Sequence, residues 1–122
     1  MACLDTNVII DFLNGDERIR EIVNRYAAEW PISTTAVNEF ELLKYGKDRD
    51  RVNYVLSRFT VYPFDRASAD SSALLFLKLR ALGKMINEND ILIAGIAAAN
   101  SEILVTRDGG FKNVGSKDIV IV

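Results

Sequence analysis

Short apolar runs alternate along this chain with segments of helical period, and no other feature constrains its fold as much. "ACL" (2–4), "WPIST" (30–34), "TVYPF" (60–64), "EILVT" (102–106) and "DIVIV" (118–122) are short and read as strands. "NVIIDFLNG" reads as a helix closed by Asn14 and Gly15, and "ERIREIVNRYAAE" carries Ile19, Ile22, Val23 and Tyr26 at helical spacing. Ser33, Thr34 and Thr35 offer N-caps for a helix running through Tyr45 and ended by Gly46. "KDRDR" starts another helix that "VNYVLSRF" continues, and "SADSSALLFLKLRALG" is a helix stopping at Gly83. "ENDILIAGIAAAN" is apolar all round, so this helix should be buried. Pro63 marks the third strand as an edge or an end. Strands alternating with helices predict an α/β fold with a mainly parallel sheet of about five strands.

No linker, repeat or low-complexity tract divides the 122 residues, so residues 1–122 read as one domain. No apolar run approaches the roughly 20 residues that span a bilayer, and no membrane association is expected. No positively charged lead precedes the first apolar run, so no signal peptide is expected either. The single cysteine, Cys3, excludes an intramolecular disulfide and fits a reducing cytosol. The chain has no histidine, which excludes Ser-His-Asp and Cys-His machinery and His-ligated zinc. Acid–base or metal chemistry must then come mainly from carboxylates. A net charge of −2 gives no global attraction to nucleic acid, so such a substrate needs a local basic patch or bridging cations.

Most acids sit in polar surroundings, and Asp16, Glu17, Glu21, Asp48, Asp50 and Asp118 read as solvated surface. Four interrupt apolar patterns. Asp5 follows the first strand, where an N-cap and a ligand at the strand's carboxyl end are both open readings. Glu39 falls on the stripe Ala36, Glu39, Phe40, Leu43, and position 36 is not the Ser or Thr a capping box requires. Its competitor Glu41 is expected to point outward. Asp90 opens the apolar helix, where the macrodipole also favours an acid that Glu88 can equally supply. Asp108 precedes Gly109-Gly110, a common turn position. Taken together, the four converge. Asp5 and Asp108 follow strand ends, Glu39 sits early in a helix that follows a strand, and a short link returns Asp90 to the same edge. Four unpaired carboxylates cannot crowd ionised without cations. Oxygen-only ligation selects Mg2+ or Mn2+, which suits hydrolysis of a phosphodiester.

"LDTNVIIDFL", "ISTTAVNEFELLKYG", "NENDILIAGIAAA" and "ILVTRDGGF" follow one another in the order and approximate spacing of the PIN-domain family. The chain most resembles the VapC-type toxin ribonucleases of prokaryotic toxin–antitoxin pairs, from about Met1 to the last strand. That resemblance implies a three-layer α/β/α fold with the first and fourth strands adjacent. It implies that Asp5, Glu39, Asp90 and Asp108 bind Mg2+ or Mn2+ and hydrolyse RNA, with Asn7 and Thr106 as polar support. Glu41 and Glu88 lie close enough to the matched acids to shift the register by two residues. The resemblance also implies a homodimer and a small antitoxin that inserts a segment into or near the acidic groove. Lys44, Lys47, Lys84, Arg107 and Lys112 lie near the motifs as candidate phosphate contacts or as plain surface charge.

Three other readings compete. A PIN nuclease of RNA maturation or repair would use the same acids on another substrate. A signalling receiver needs an adjacent acidic pair after the first strand and a lysine after a later one, whereas Thr6-Asn7 follow Asp5 and Lys117 precedes the last strand. A silent binding module has no use for four converging acids.

Overall fold

The computed structural model describes residues 1–122. Its strands are β1 (Ala2–Leu4), β2 (Ile32–Thr35), β3 (Thr60–Tyr62), β4 (Ile103–Thr106) and β5 (Ile119–Ile121). They form one sheet in the order β3-β2-β1-β4-β5, every neighbouring pair parallel. The expected mainly parallel sheet is thus wholly parallel, with β1 beside β4 and the Pro63-terminated β3 at an edge. This order differs from the 2-1-3-4-5 arrangement of receiver-type folds.

The helices are α1 (Thr6–Leu13), α2 (Glu17–Glu29), α3 (Ala36–Leu43), α4 (Arg49–Leu56), α5 (Arg66–Leu82) and α6 (Glu88–Ala99). A 3-10 helix over Gly109–Val114, absent from the sequence expectation, links β4 to β5. α3 ends two residues short of Tyr45: Lys44 and Gly46 close the turn onto Phe40 and Leu43, and Gly46 takes φ +69°. α5 begins two residues earlier than expected, because Asp65 rather than a later residue caps it through the Ser68 N–H.

Alternation along β1 splits the core into two layers. Ala2 and Leu4 pack with Val8, Ile9, Ile19 and Leu42 on one face, under α1 to α4. Cys3 packs with Leu79, Ile91, Ile93 and Phe111 on the other, under α5 and α6. As its all-round apolarity predicted, α6 buries Ile91 and every residue from Ile93 to Ala97. Gly95 lets α6 approach α5 closely: a Cβ there would stand 2.9 Å from Ser72 Cα. No helix is long and apolar enough to cross a membrane.

Candidate functional site

A parallel sheet delivers every strand's carboxyl end to one edge, and the β1/β4 boundary is where chain direction away from the centre reverses. Asp5 stands there. Its N–H extends the ladder to Val105 O at 2.9 Å, and its side chain caps α1 through the Thr6 N–H at 2.8 Å. The helix-cap reading is therefore correct, but it uses only one lone pair. Asn38 Nδ2 donates to the same Oδ1 at 3.0 Å, and Thr106 Oγ1 donates to Oδ2 at 2.7 Å. Asp5 is only 4% exposed. Burial pushes its carboxyl above the ordinary value against the pull of these donors, and Glu41 pushes the same way.

Asp90 sits half-buried in the first turn of α6. Its carboxyl is pushed up to about 7, first by burial and then by the charges of Asp5, Asp108 and Glu41. Interaction with the Asp108 side chain adds a smaller push in the same direction, because it favours the protonated form of Asp90. Asp108 is also the turn residue its sequence suggested: it caps the 3-10 helix, accepting from Gly110 N at 2.8 Å. Its own N–H donates to Thr106 Oγ1 at 3.0 Å, so one threonine hydroxyl joins the Asp5 and Asp108 segments. Glu88 is exposed, outside this group.

The structure corrects the reading of α3. Glu41 does not point outward. It is half-buried, and its Oε1 accepts from Thr6 Oγ1 at 2.6 Å. Glu39 makes no side-chain hydrogen bond and is not among the charges acting on Asp90. The face α3 buries is Asn38 and Leu42, while Phe40, assigned to the buried stripe, is 60% exposed. Asn7 is exposed and takes no part in the hydrogen bonds that hold Asp5, whereas Thr106 does. The support expected from Asn7 comes from Thr6 and Asn38 instead.

Two further residues depart from expectation. Arg107 is not free for phosphate, because its guanidinium pairs with Asp11 at 2.9 Å and Asp16 at 3.2 Å. Asp16, read as idle surface, thus ties the start of α2 to the residue after β4 and also caps α2 through the Ile19 N–H. Glu102, read as part of a strand, lies buried before β4 at the opposite sheet edge, accepting from Ser33 Oγ at 2.5 Å. Beside it, burial pushes the Cys3 thiol up to about 12, which leaves it inert.

Asp5, Glu41, Asp90 and Asp108 thus line one rim, and no lysine or arginine forms an ion pair with any of them. None of the surface clefts is lined by any of the four. The donor set, carboxylate oxygens with no nitrogen or sulfur, fits a hard divalent cation. No three of these side chains close around a single point. Mg2+ retains several waters and takes only one or two carboxylates directly, so the spacing remains compatible.

The PIN domain model matches residues 2–117. The plasmid stability protein StbB of Pseudomonas syringae pv. tomato is 32% identical, covering 90% of this chain and 89% of StbB. FitAcB from Neisseria gonorrhoeae superposes with a TM-score of 0.78 at 27% identity, covering 99% of this chain and 96% of the other. VapBC2 from Rickettsia felis, bound to a DNA fragment from its promoter, gives a TM-score of 0.81 at 24% identity, covering 99% and 96%. The latter similarity is one of fold.

Proposed function

This chain belongs to the PIN-domain family, and from that premise we propose that it is a divalent-metal-dependent endoribonuclease, the toxin of a toxin–antitoxin pair. The observation that carries the reading is a rim of four acids that no basic residue of the protein neutralises, in which burial first and then the neighbouring acids push the Asp90 carboxyl up to about 7. A site built to repel itself when empty is a site for cations. Mg2+ or Mn2+, when bound, would offset this charge, activate water and stabilise the leaving oxygen.

The chain's own residues set the arrangement. Asp5, Glu41, Asp90 and Asp108 would hold the ion, one or two of them directly and the others through its waters, Glu41 taking the place first assigned to Glu39. Asp5 is immobilised by three donors, and the Thr106 hydroxyl ties it to the Asp108 backbone. Lys44, Lys47, Lys84 and Lys112, near the acidic motifs in sequence, are exposed, open to phosphate contact or to a plain solubilising role.

The partner assignment is supported by the relatives, among them a toxin–antitoxin complex from Klebsiella pneumoniae. The partner would be a small antitoxin protein. Leu74 and Leu77 on the outer side of α5, 69% and 49% exposed, support a homodimer.

Cleavage of defined RNAs with and without Mn2+, by wild type and Asp90→Asn, tests the reading. Wild type should cut only with metal, and Asp90→Asn should lose at least a hundredfold in rate. Undiminished cleavage by Asp90→Asn refutes the site, and no cleavage of any RNA by wild type with Mn2+ refutes the activity.

A further inference from the structure

Asn38 is fully buried in the first turn of α3, and no hydrophobic pattern explains it. The Thr35 hydroxyl donates to Asn38 Oδ1 at 2.7 Å, which fixes the amide with Nδ2 toward the rim. From Nδ2 one bond runs 3.0 Å to Asp5 Oδ1 and another 2.9 Å to Thr6 Oγ1. An amide nitrogen only donates, so Thr6 Oγ1 accepts there and its single proton is left for Glu41 Oε1, 2.6 Å away. The direction of every bond in this chain is set by chemistry. Two acids from different elements, Asp5 after β1 and Glu41 on α3, are oriented from one amide.

Resting on the metal-dependent reading above, we propose that Asn38 and Thr6 are positioning residues that hold Asp5 and Glu41 as a matched pair of ligands for a divalent cation. Neither residue touches the reacting atoms. Asn38 and Thr6 engage one oxygen of each acid, Oδ1 of Asp5 and Oε1 of Glu41; Oδ2 of Asp5 accepts only from Thr106, and Oε2 of Glu41 accepts no bond. That oxygen is available to an ion, while Thr6 stops the glutamate from swinging away. Partners of this kind, one bond behind the ligands, typically govern 10–100-fold of metal affinity.

Thr6 gives the cleaner test, since it is only half-buried and valine matches its shape without the hydroxyl. Mn2+ binding to the intact 122-residue protein is measured by titration calorimetry for wild type, Thr6→Val, Thr6→Ser and Asn38→Ala. Thr6→Val should weaken Mn2+ binding about tenfold or more, and Thr6→Ser, which keeps the hydroxyl, should stay within about twofold of wild type. Asn38→Ala should match or exceed the loss in Thr6→Val; if it does not fold, the valine–serine pair decides alone. A role confined to stability would lower the melting temperature of Thr6→Val and leave its Mn2+ affinity at the wild-type value, which overturns the proposal. If wild type itself binds no Mn2+, the metal-dependent reading falls and this proposal with it.

Discussion

Replacing Asp90 by asparagine should stabilise the metal-free protein at alkaline pH and abolish its response to Mn2+. The Asp90 carboxyl is pushed from 3.8 up to about 7 by burial and by Asp5, Asp108 and Glu41. At roughly 1.4 kcal/mol per pKa unit, a sealed group would forfeit about 4 kcal/mol. Asp90 is half-exposed, and solvent screening reduces this to about 1–2 kcal/mol. Because the folded value lies above the unfolded one, the contribution is fully present below about pH 4. It is lost as pH rises through about 7. Asparagine imitates the protonated acid at every pH, so the difference between variant and wild type isolates this group. Asp16 and Asp65, both held low mainly by backbone N–H donors, titrate the opposite way but equally in both proteins. The assay is thermal melting in EDTA from pH 4 to 8.5, repeated with millimolar Mn2+. The variant's advantage should grow from nothing at pH 4 to roughly 3–8 °C at pH 8.5. With Mn2+ the order should reverse, since only wild type gains by binding. A variant that melts with wild type across the whole range in EDTA would show that the rim acids do not crowd. Asp5→Asn is the poorer probe: its new amide would face Thr106 Oγ1, leave that hydroxyl's proton without an acceptor, and offset the relief of charge.

The α5–α6 contact and the β4 loop carry three structural predictions. Gly95→Ala would place a Cβ 1.9 Å from Ser72 Oγ and 2.9 Å from its Cα, so backbone must move; a loss of about 2–3 kcal/mol should appear in denaturant melts. Ser72→Ala, by contrast, removes a buried hydroxyl without a partner and should leave stability equal or raise it by up to about 1 kcal/mol. Arg107→Ala breaks two partly exposed ion pairs, so it should cost less than about 1 kcal/mol at low salt and nothing measurable in 1 M NaCl.

The strands and helices were legible because each obeys a local rule. Asn14-Gly15 and Gly83 stop helices where the chain must turn, and uniform apolarity buries α6. The link between β4 and β5 was not legible. Gly109-Gly110 signals a turn, and the 3-10 helix beginning there shows itself only in Phe111 and Val114, buried three residues apart. Glu102 was hidden inside an apolar run, its neutral partner Ser33 lying 69 positions earlier.

The structure gathers three of the expected acids, Asp5, Asp90 and Asp108, and turns Glu41 rather than Glu39 toward them, and α3 explains why. A stripe built on Ala36, Phe40 and Leu43 has the right period, but hydrophobicity sets a helix's phase only when its buried residues are apolar. Here the deepest residue is Asn38, buried because Asp5, Thr6 and Thr35 satisfy its amide, and Phe40 is left outside. Rotating the helix to bury Asn38 and Leu42 turns Glu41 toward Thr6 and removes Glu39 from the network. The signal that would have set the phase is polar: Asn38 and Glu41 lie three residues apart, one donating to Thr6 and the other accepting from it. A polar residue that an acidic rim needs buried can therefore override the apolar stripe of the helix that carries it.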